Sequence, residues 1–420
     1  MRVLLVGSGG REHALAWKIA QSPLLSEFYA APGNPGIARH AACLPVAAND
    51  LDGLVQLAVE KQIDLVVVGP EDPLALGLVD RLAALGIAAF GPSQAAARLE
   101  SSKAWSKEFM QRHGIPTASY RVFNELTPAL QYAASQPFPL VIKASGLAAG
   151  KGAVIAADLD EAKSVLQEML QSDKFGAAGH TVVVESYLTG PEVSLLALID
   201  GEKYLLLPAA QDHKRVFDGD RGPNTGGMGA YSPVPVFTRE VEQQAVERVL
   251  LPTIRGMQIE GCPFRGVLYL GLMLTESGPQ VIEFNARFGD PETQVVLPRI
   301  QSDLLPLLLA TASGKLAAAS LQVTEQACAT VIISSPGYPG SYPKGLPITG
   351  LAAAEEQGCL VFHAGTGLQG SDLVTSGGRI LAVSALGDSL SSAVDAAYRG
   401  VRAIAIPGSH YRRDIAHRAL

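Results

Sequence analysis

Residues 1–18, MRVLLVGSGGREHALAWK, run an apolar stretch into a glycine-rich turn and then into a segment with helical spacing. RVLLVG has the unbroken apolar character of a strand buried on both faces, as in a parallel sheet. REHALAWKIAQS then places its apolar residues at helical intervals. The alternation continues for about a hundred residues: EFYAAPG, IDLVVVGPE and IAAFGP read as strands, LDGLVQLAVEKQ and LGLVDRLAALG as helices. The fold class this predicts is α/β, opening with a parallel sheet covered by helices on both faces. Ligands of such sheets bind at the carboxyl ends of the strands. Those ends carry GSGGRE, APGNPG and GPEDPL.

Beyond this region a long helix is expected over SQAAARLESSKAWSKEFMQRHG, capped by Gly114. A compact α+β unit follows, with the strands PLVIKA, GAVIAA and TVVVESYL. Further strands are expected at EVSLLALID and KYLLLPAA, then a helix at about 239–258 and a hairpin joining RGVLYLGLMLT to PQVIEFNARFG across ESG. From about residue 326 short strands with Gly-rich turns precede a closing helix. Four regions are expected: 1–101, 102–190, 191–325 and 326–420.

With 48% hydrophobic and 17% charged residues, the 420-residue chain is globular rather than disordered. A net charge of −7 without a Lys/Arg block argues against a nucleic-acid partner. The four cysteines are widely spaced with no C-x-x-C pair and no Cys/His cluster, which suits reduced, mostly buried thiols in a reducing compartment. The start lacks the apolar region of a signal peptide, and no apolar run reaches membrane-spanning length. A cytoplasmic protein without a membrane partner is expected.

Four stretches carry candidate chemistry. In GSGGRE the strand-to-helix turn aims backbone N–H groups of Gly7, Ser8, Gly9 and Gly10 at an anion, with Arg11 as a charged donor. The dinucleotide fingerprint would need glycine where Glu12 stands, so a phosphate monoester fits better than NAD. A turn that serves only packing is equally compatible with this stretch. In KASGLAAGKG, Lys143 ends a strand, while Gly146, Gly150 and Gly152 with Lys151 permit a flap over phosphates. It is not a Walker A loop, which would need glycine at Ser145 and a hydroxyl at Gly152.

In IEFNARFGDPE, Glu283 and Asn285 share a strand face and make an oxygen-donor pair suited to magnesium carrying nucleotide phosphates; Arg287 continues that face. QDHKRVFDGDRGPNTGGMGAYSP, residues 211–233, is expected as a long structureless substrate loop. Its candidate contacts are Asp212, Lys214, Asn224, Thr225, Gly226, Gly227 and Met228, joined by Glu71 of GPEDPL. Bare backbone at NTGGMG is a candidate for selecting glycine over larger amino acids, and His213 reads as structural. Glu185, with the backbone through Tyr187 to Leu188, offers a linker for an adenine edge, and Glu192 lies within reach of ribose hydroxyls.

The order of these stretches resembles the ATP-grasp superfamily. Within it the chain resembles the phosphoribosylamine–glycine ligase family, through VGSGGREHALAWK, GPEDPL, KASGLAAGKG, NTGGMGAYSP, RFGDPETQ and FHAGT. The resemblance implies an N-terminal substrate domain, an ATP lid, a central domain and a small C-terminal domain. It implies ligation of glycine to 5-phosphoribosylamine with ATP as co-substrate and Mg²⁺ or Mn²⁺ as cofactor, in a monomer or weak dimer. Lys103 and Lys143 would touch ATP phosphates, residues 144–152 would be the flap, and 185–188 with Glu192 would hold the nucleoside. Glu283 and Asn285 would bind the metal, Arg287 would steady the transferring phosphoryl group, and GSGGRE would hold the ribose phosphate. The family's flap usually reads K-A-D-G; this chain has Ser145. Alternatives are an ATP-grasp ligase for another acid, a nucleotide-binding protein without turnover, and a nicotinamide oxidoreductase, which Glu12 disfavours.

Overall fold

In the computed structural model, which describes residues 1–147, 152–171 and 180–420, the N-terminal strands form one parallel sheet. They are β1 (Arg2–Gly7), β2 (Glu27–Pro32), β3 (Ala42–Cys43), β4 (Leu65–Val68) and β5 (Ala88–Phe90), in the order β3–β2–β1–β4–β5. Their side chains alternate between two cores. Val3, Leu5, Leu65 and Val67 face α1 (Gly10–Ile19), while Leu4, Val6, Val66 and Val68 face α2 (Leu51–Glu60) and, past the short α3 (Glu71–Ala75), α4 (Leu78–Ala84). The parallel sheet expected from the apolar runs is present, and the three polar turns sit at its carboxyl edge.

The single helix expected over 93–114 is two helices, α5 (Gln94–Ser101) and α6 (Lys103–Arg112). Ser102 between them is extended, with φ −140° and ψ 97°, and its Oγ accepts from Trp105 N. A serine that satisfies the orphan donors of a new helix competes with continuing the old one. The break makes Lys103 the first residue of α6. Gly114 ends α6 in the left-handed conformation, at φ +66°, as expected.

The lid has its own antiparallel sheet: β6 (Tyr120–Phe123), β7 (Leu140–Ala144), β8 (Ala153–Ala156) and β9 (Val182–Ser186), ordered β6–β9–β7–β8. Helices α7 (Leu126–Ala134) and α8 (Leu159–Gln171) cover it with a separate apolar cluster around Ile142, Leu166 and Val184. In the central region β10 (Glu192–Asp200) and β11 (Tyr204–Leu206) join β16 (Arg265–Thr275) and β17 (Gly278–Asn285), in the order β11–β10–β16–β17. β16 and β17 form the expected hairpin. The expected helix is α9 (Arg239–Ala245) and α10 (Leu251–Ile259), joined by a π-helical turn.

Residues 211–233 are not the structureless loop expected. They hold β12 (Gln211–Asp212), β13 (Arg215–Phe217), β14 (Arg221–Asn224) and β15 (Gly229–Ser232). These strands are too short and too polar to show a period of two; pairing rather than pattern defines them. β13 and β14 form a small hairpin. β12 and β15 join β18 (Ala327–Ser334), β19 (Leu360–His363) and β22 (Arg379–Gly387) in a sheet ordered β12–β15–β18–β22–β19. That sheet runs across the boundary expected at 325/326. The hairpin β20 (Thr366–Gln369) and β21 (Asp372–Thr375) lies between β19 and β22 in the chain. α11 (Thr293–Arg299) and α12 (Leu304–Ala312) bury Val295, Leu304 and Leu308 in the cluster that also holds Leu5, Leu196 and Phe362, joining the N-terminal, central and C-terminal parts in one core. Among the described residues no helix is long and apolar enough to cross a membrane.

The N- and C-terminal parts meet through buried polar groups. Asn34 Nδ2 donates to Ser8 O at 2.8 Å and to His363 O at 2.9 Å, and His363 N donates to His13 Nδ1 at 2.7 Å. Burial pushes both histidines down, with Arg39 adding to the effect; His363 falls to about 4 from an ordinary 6.5. Both are therefore neutral when folded but take up protons below about pH 6.5 when unfolded. Their contribution is complete above pH 6.5 and is lost as the pH falls toward 4. His363→Gln is expected to flatten this acid limb of a Tm–pH curve, and identical slopes in the two proteins would refute the assignment.

Candidate active site

Three cations surround the oxygen donors of β17. Lys143, at the end of β7, donates from Nζ to Ile282 O at 2.8 Å, which ties the lid to the strand bearing Glu283. Lys103 opens α6, and its Nζ donates to Gly146 O at 3.0 Å. Lys214 stands 2.8 Å from Glu192 Oε2 and 3.9 Å from Glu283 Oε1. Burial raises the Glu283 carboxyl, but Lys214, Lys143, Lys103 and Arg287 together outweigh it and hold the group below its ordinary value. Glu283 is thus an anion ringed by cations, a charge arrangement that suits a polyanion together with a divalent ion.

Glu283 and Asn285 share a face of β17, as expected, and Asn285 Oδ1 has only a long 3.5 Å contact from Arg287 Nη2. Two hard oxygen donors with open valences fit a divalent cation that completes its sphere with phosphate and water. Among the described residues there is no cluster of three or more His, Cys, Asp or Glu that could hold one alone. A metal held by this pair would take its remaining ligands from phosphate and water.

Several expected side chains are otherwise engaged. Glu185 is 4% exposed and lies between Lys143 at 3.0 Å and Lys107 at 2.8 Å, so two ammonium groups engage its carboxylate. Tyr187 and Leu188 directly follow β9 and lie outside any regular element. Glu192 is paired with Lys214. Arg287 is held 3.1 Å from Glu71 and 3.0 Å from Glu100. Burial raises Glu71, but Arg287 and Arg11 bring it down to about 2; burial pushes Glu100 up to about 7 despite Arg287. Gly150 and Lys151 lie outside the described residues.

Ser145 departs from the usual acid of the flap and has a clear local role. Its Oγ accepts from Ala104 N at 3.0 Å and its carbonyl accepts from Lys103 N at 2.8 Å, capping α6 from another strand. An aspartate could accept the same N–H and would sit near Lys103. Ser145→Asp is expected to keep kcat and the ATP KM within about threefold of the parent. A larger loss in steady-state kinetics would show that the serine is tuned to this flap.

Ser8, Gly9, Gly10 and Gly33 line a cavity of about 490 Å³ whose opposite wall is C-terminal: Thr366, Ser376 and Arg379 among others. The glycine turn thus borders a pocket, as an anion site requires, but two details differ from expectation. Arg11 turns away: its Nε donates to Glu12 Oε1 at 2.6 Å and its Nη1 to Phe288 O at 3.1 Å. Glu12 fills the turn itself, accepting from Gly9 N at 2.7 Å; a Cβ on Gly7 would sit 2.6 Å from Glu12 Cγ. The cation facing this pocket is Arg379, which sequence reading missed because it stands between glycines and short strands. It lies 3.3 Å from Asp290 Oδ2 and donates to Asp290 O at 2.8 Å.

The substrate stretch brings Asp212 and Lys214 to the site and sends His213 behind it, the alternation of an extended chain. His213 Nε2 accepts from Ala416 N at 2.9 Å, and burial lowers it to about 4. Burial lifts Asp212 to about 7, with Glu292, Glu192 and Glu283 adding and Lys214 opposing. Thr225 N donates to Lys214 O at 2.8 Å and Met228 N to His213 O at 2.8 Å, so NTGGMG buttresses these residues. Gly227 is at φ +107°, where a Cβ would collide with Pro291, and a Cβ on Gly226 would sit 3.0 Å from Arg379. These glycines are explained by close packing against protein rather than by an open face for substrate. Asn224 ends β14 and its backbone pairs with Arg215, one residue beyond Lys214.

Also missed were Lys107, Tyr269, Ser194 and the role of Glu292. Glu292 Oε1 accepts from Tyr269 OH at 2.9 Å and Ser194 Oγ at 3.0 Å beside Asp212. Lys107 lies four residues after Lys103, one helical turn away on the same face, a signal that was available.

Comparison with known proteins finds relatives along nearly the whole chain. The phosphoribosylglycinamide synthetase models match residues 1–100 (N domain), 101–293 (ATP-grasp (A) domain) and 328–418 (C domain). A phosphoribosylamine–glycine ligase of Rhizobium meliloti (strain 1021) is 52% identical over 420 residues, covering 100% of this chain and 99% of the relative. One of Caulobacter vibrioides is 53% identical over 422 residues, with the same coverage. The crystal structure of the ligase from Thermotoga maritima superposes with a TM-score of 0.88 at 33% identity, covering 99% of this chain and 100% of that one.

Proposed function

This chain belongs to the phosphoribosylglycinamide synthetase family, and on that premise we propose how its residues divide the work of the reaction. The reaction is the ATP-dependent ligation of glycine to phosphoribosylamine in purine biosynthesis, by an ATP-grasp ligase. The family uses ATP and a divalent metal ion; Glu283 and Asn285 would hold Mg²⁺ or Mn²⁺, which would supply charge neutralisation for phosphoryl transfer.

The observation that carries the reading is the ring of Lys103, Lys143, Lys214 and Arg287 around Glu283. Lys103 and Lys143 hold the ATP phosphates under the flap, Arg287 faces the phosphoryl group from a pair of acids, and the 187–188 backbone takes the adenine edge. Asp212 and Lys214 hold glycine, the acid toward its ammonium and the lysine toward its carboxylate. The pocket of Ser8–Gly10 and Arg379 takes the phosphate of phosphoribosylamine. Glycine carboxylate attacks the γ-phosphorus and ADP leaves; the amine then attacks the acyl carbon of glycyl phosphate and phosphate leaves. No side chain needs to become covalently attached, so positioning and charge neutralisation supply the acceleration. The reaction is placed in the cytoplasm, in a monomer or weak dimer, with neither a nucleic-acid nor a membrane partner.

The test is ADP release with ATP, Mg²⁺ and phosphoribosylamine generated in place, with and without glycine. Release that needs both substrates, with the glycinamide product seen by mass, is the expected result. Release with another carboxylic acid and not with glycine would keep the fold reading and overturn the substrate. ATP binding without turnover under any acid would favour a binding protein.

A further inference from the structure

Residues 410–418 run along the back of the substrate stretch and bond to it step by step. His410 Nε2 meets Val216 O at 2.8 Å, Arg413 N donates to Asp218 Oδ1 at 2.8 Å, and Gly219 N donates to Asp414 Oδ2 at 2.8 Å. Ala416 N donates to His213 Nε2, and Arg418 Nη1 to Asp212 O at 3.3 Å. At the centre lies Arg412, whose side chain is fully buried. Its Nε and Nη2 donate to the two oxygens of Asp414 and its Nη1 to Asp220 Oδ1, all at 2.8 Å; Nη1 also reaches Arg215 O at 3.1 Å.

The joint is specific rather than generic packing. Asp220 and Ala416 sit at φ +54° and +69°, two of the three non-glycine residues in left-handed backbone among the described residues. Side chains disfavour that conformation, and it persists where surrounding bonds impose it. The joint also lies one residue from the site: Asp212 and Lys214 face the cleft while His213, between them, is the residue the tail grips.

We propose that the segment 410–418 is a positioning element for catalysis, with buried Arg412 fixing the β13–β14 hairpin and Arg418 fixing Asp212, so that Asp212 and Lys214 meet glycine in a single geometry. The proposal rests on the reading of Asp212 and Lys214 as glycine contacts. None of the tail residues touches substrate. Their effect is on where the contacts stand, and a misplacement well short of losing a contact is costly in a site that works by positioning.

The decisive variant is Arg418→Gln, because Arg418 is partly exposed and its loss leaves Arg412 to hold Asp220. It is expected to raise the glycine KM about fivefold, with the ATP KM within about twofold and Tm nearly unchanged. Arg418→Lys, which restores a cation toward Asp220, should recover most of the loss. Arg412→Gln should act in the same direction and more strongly; it takes the buried partner from Asp220 and Asp414 and lowers stability, so its failure to fold would leave the decision to Arg418→Gln. A wild-type glycine KM in Arg418→Gln overturns the proposal. Asp212→Asn separates the two levels. If it raises the glycine KM while Arg418→Gln does not, only the positioning role fails; if it has no effect, the reading of the substrate stretch fails and takes the proposal with it.

Discussion

Glu283→Gln is expected to lower kcat by roughly a thousandfold at limiting magnesium. The substitution keeps the shape of the side chain and removes one charge. That charge is what Lys103, Lys143, Lys214 and Arg287 converge on, and they hold the carboxyl ionised in spite of its burial. The amide can still offer an oxygen, but a neutral donor binds a hard divalent cation more weakly. Four cations would also face one another with less negative charge between them. Raising magnesium should recover part of the loss and manganese more, because the defect is in metal affinity rather than in folding. Steady-state rates across a magnesium titration check this, and near-parental kinetics at every concentration would remove Glu283 from the metal site.

Lys143→Met is expected to cost about a hundredfold or more in kcat/KM, whereas Lys107→Met should cost mainly stability. Both lysines pair with the buried Glu185, at 3.0 and 2.8 Å, so either substitution leaves that acid with a single partner. The structural penalty is therefore shared. The difference lies in the second contact: Lys107 Nζ donates to Thr117 Oγ1 at 2.7 Å, within the domain, while Lys143 Nζ donates to Ile282 O, beside Glu283. Lys143 alone of the two reaches the strand that bears Glu283. Measuring kcat/KM and Tm on both variants separates the roles. Equal losses of activity would mean that the ion triad, and not a phosphate contact, explains Lys143.

How much of this was legible depended on how local the causes were. The N-terminal sheet was readable because strands such as Leu65–Val68 are buried on both faces and show as unbroken apolar runs. Glu283 and Asn285 were readable because a strand fixes which residues share a face. The break at Ser102 had a local signal, a good capping residue, but helical spacing on both sides masked it. The strands within 211–232 had none: β12, β13 and β14 are short polar segments that pair inside the stretch, and β15 is completed by β18, far along the chain. Side-chain commitments were the least legible. Arg11 and Glu185 are residue types that suit a phosphate or a nucleotide, and only the fold shows that Glu12 and Lys107 already pair with them.

The sheet that passes through residue 325 bears on where this chain can be divided. β15, from the central region, pairs along its length with β18, the first strand beyond that position. A polypeptide cut there would yield two pieces, each with an open sheet edge of unpaired amides, a surface prone to self-association. Produced apart, the halves would be poor folding units; produced together, each is the natural cover for the other's edge. The chain is therefore a candidate for a split reporter whose halves recombine, and a poor one for domain shuffling at the seam its sequence suggests.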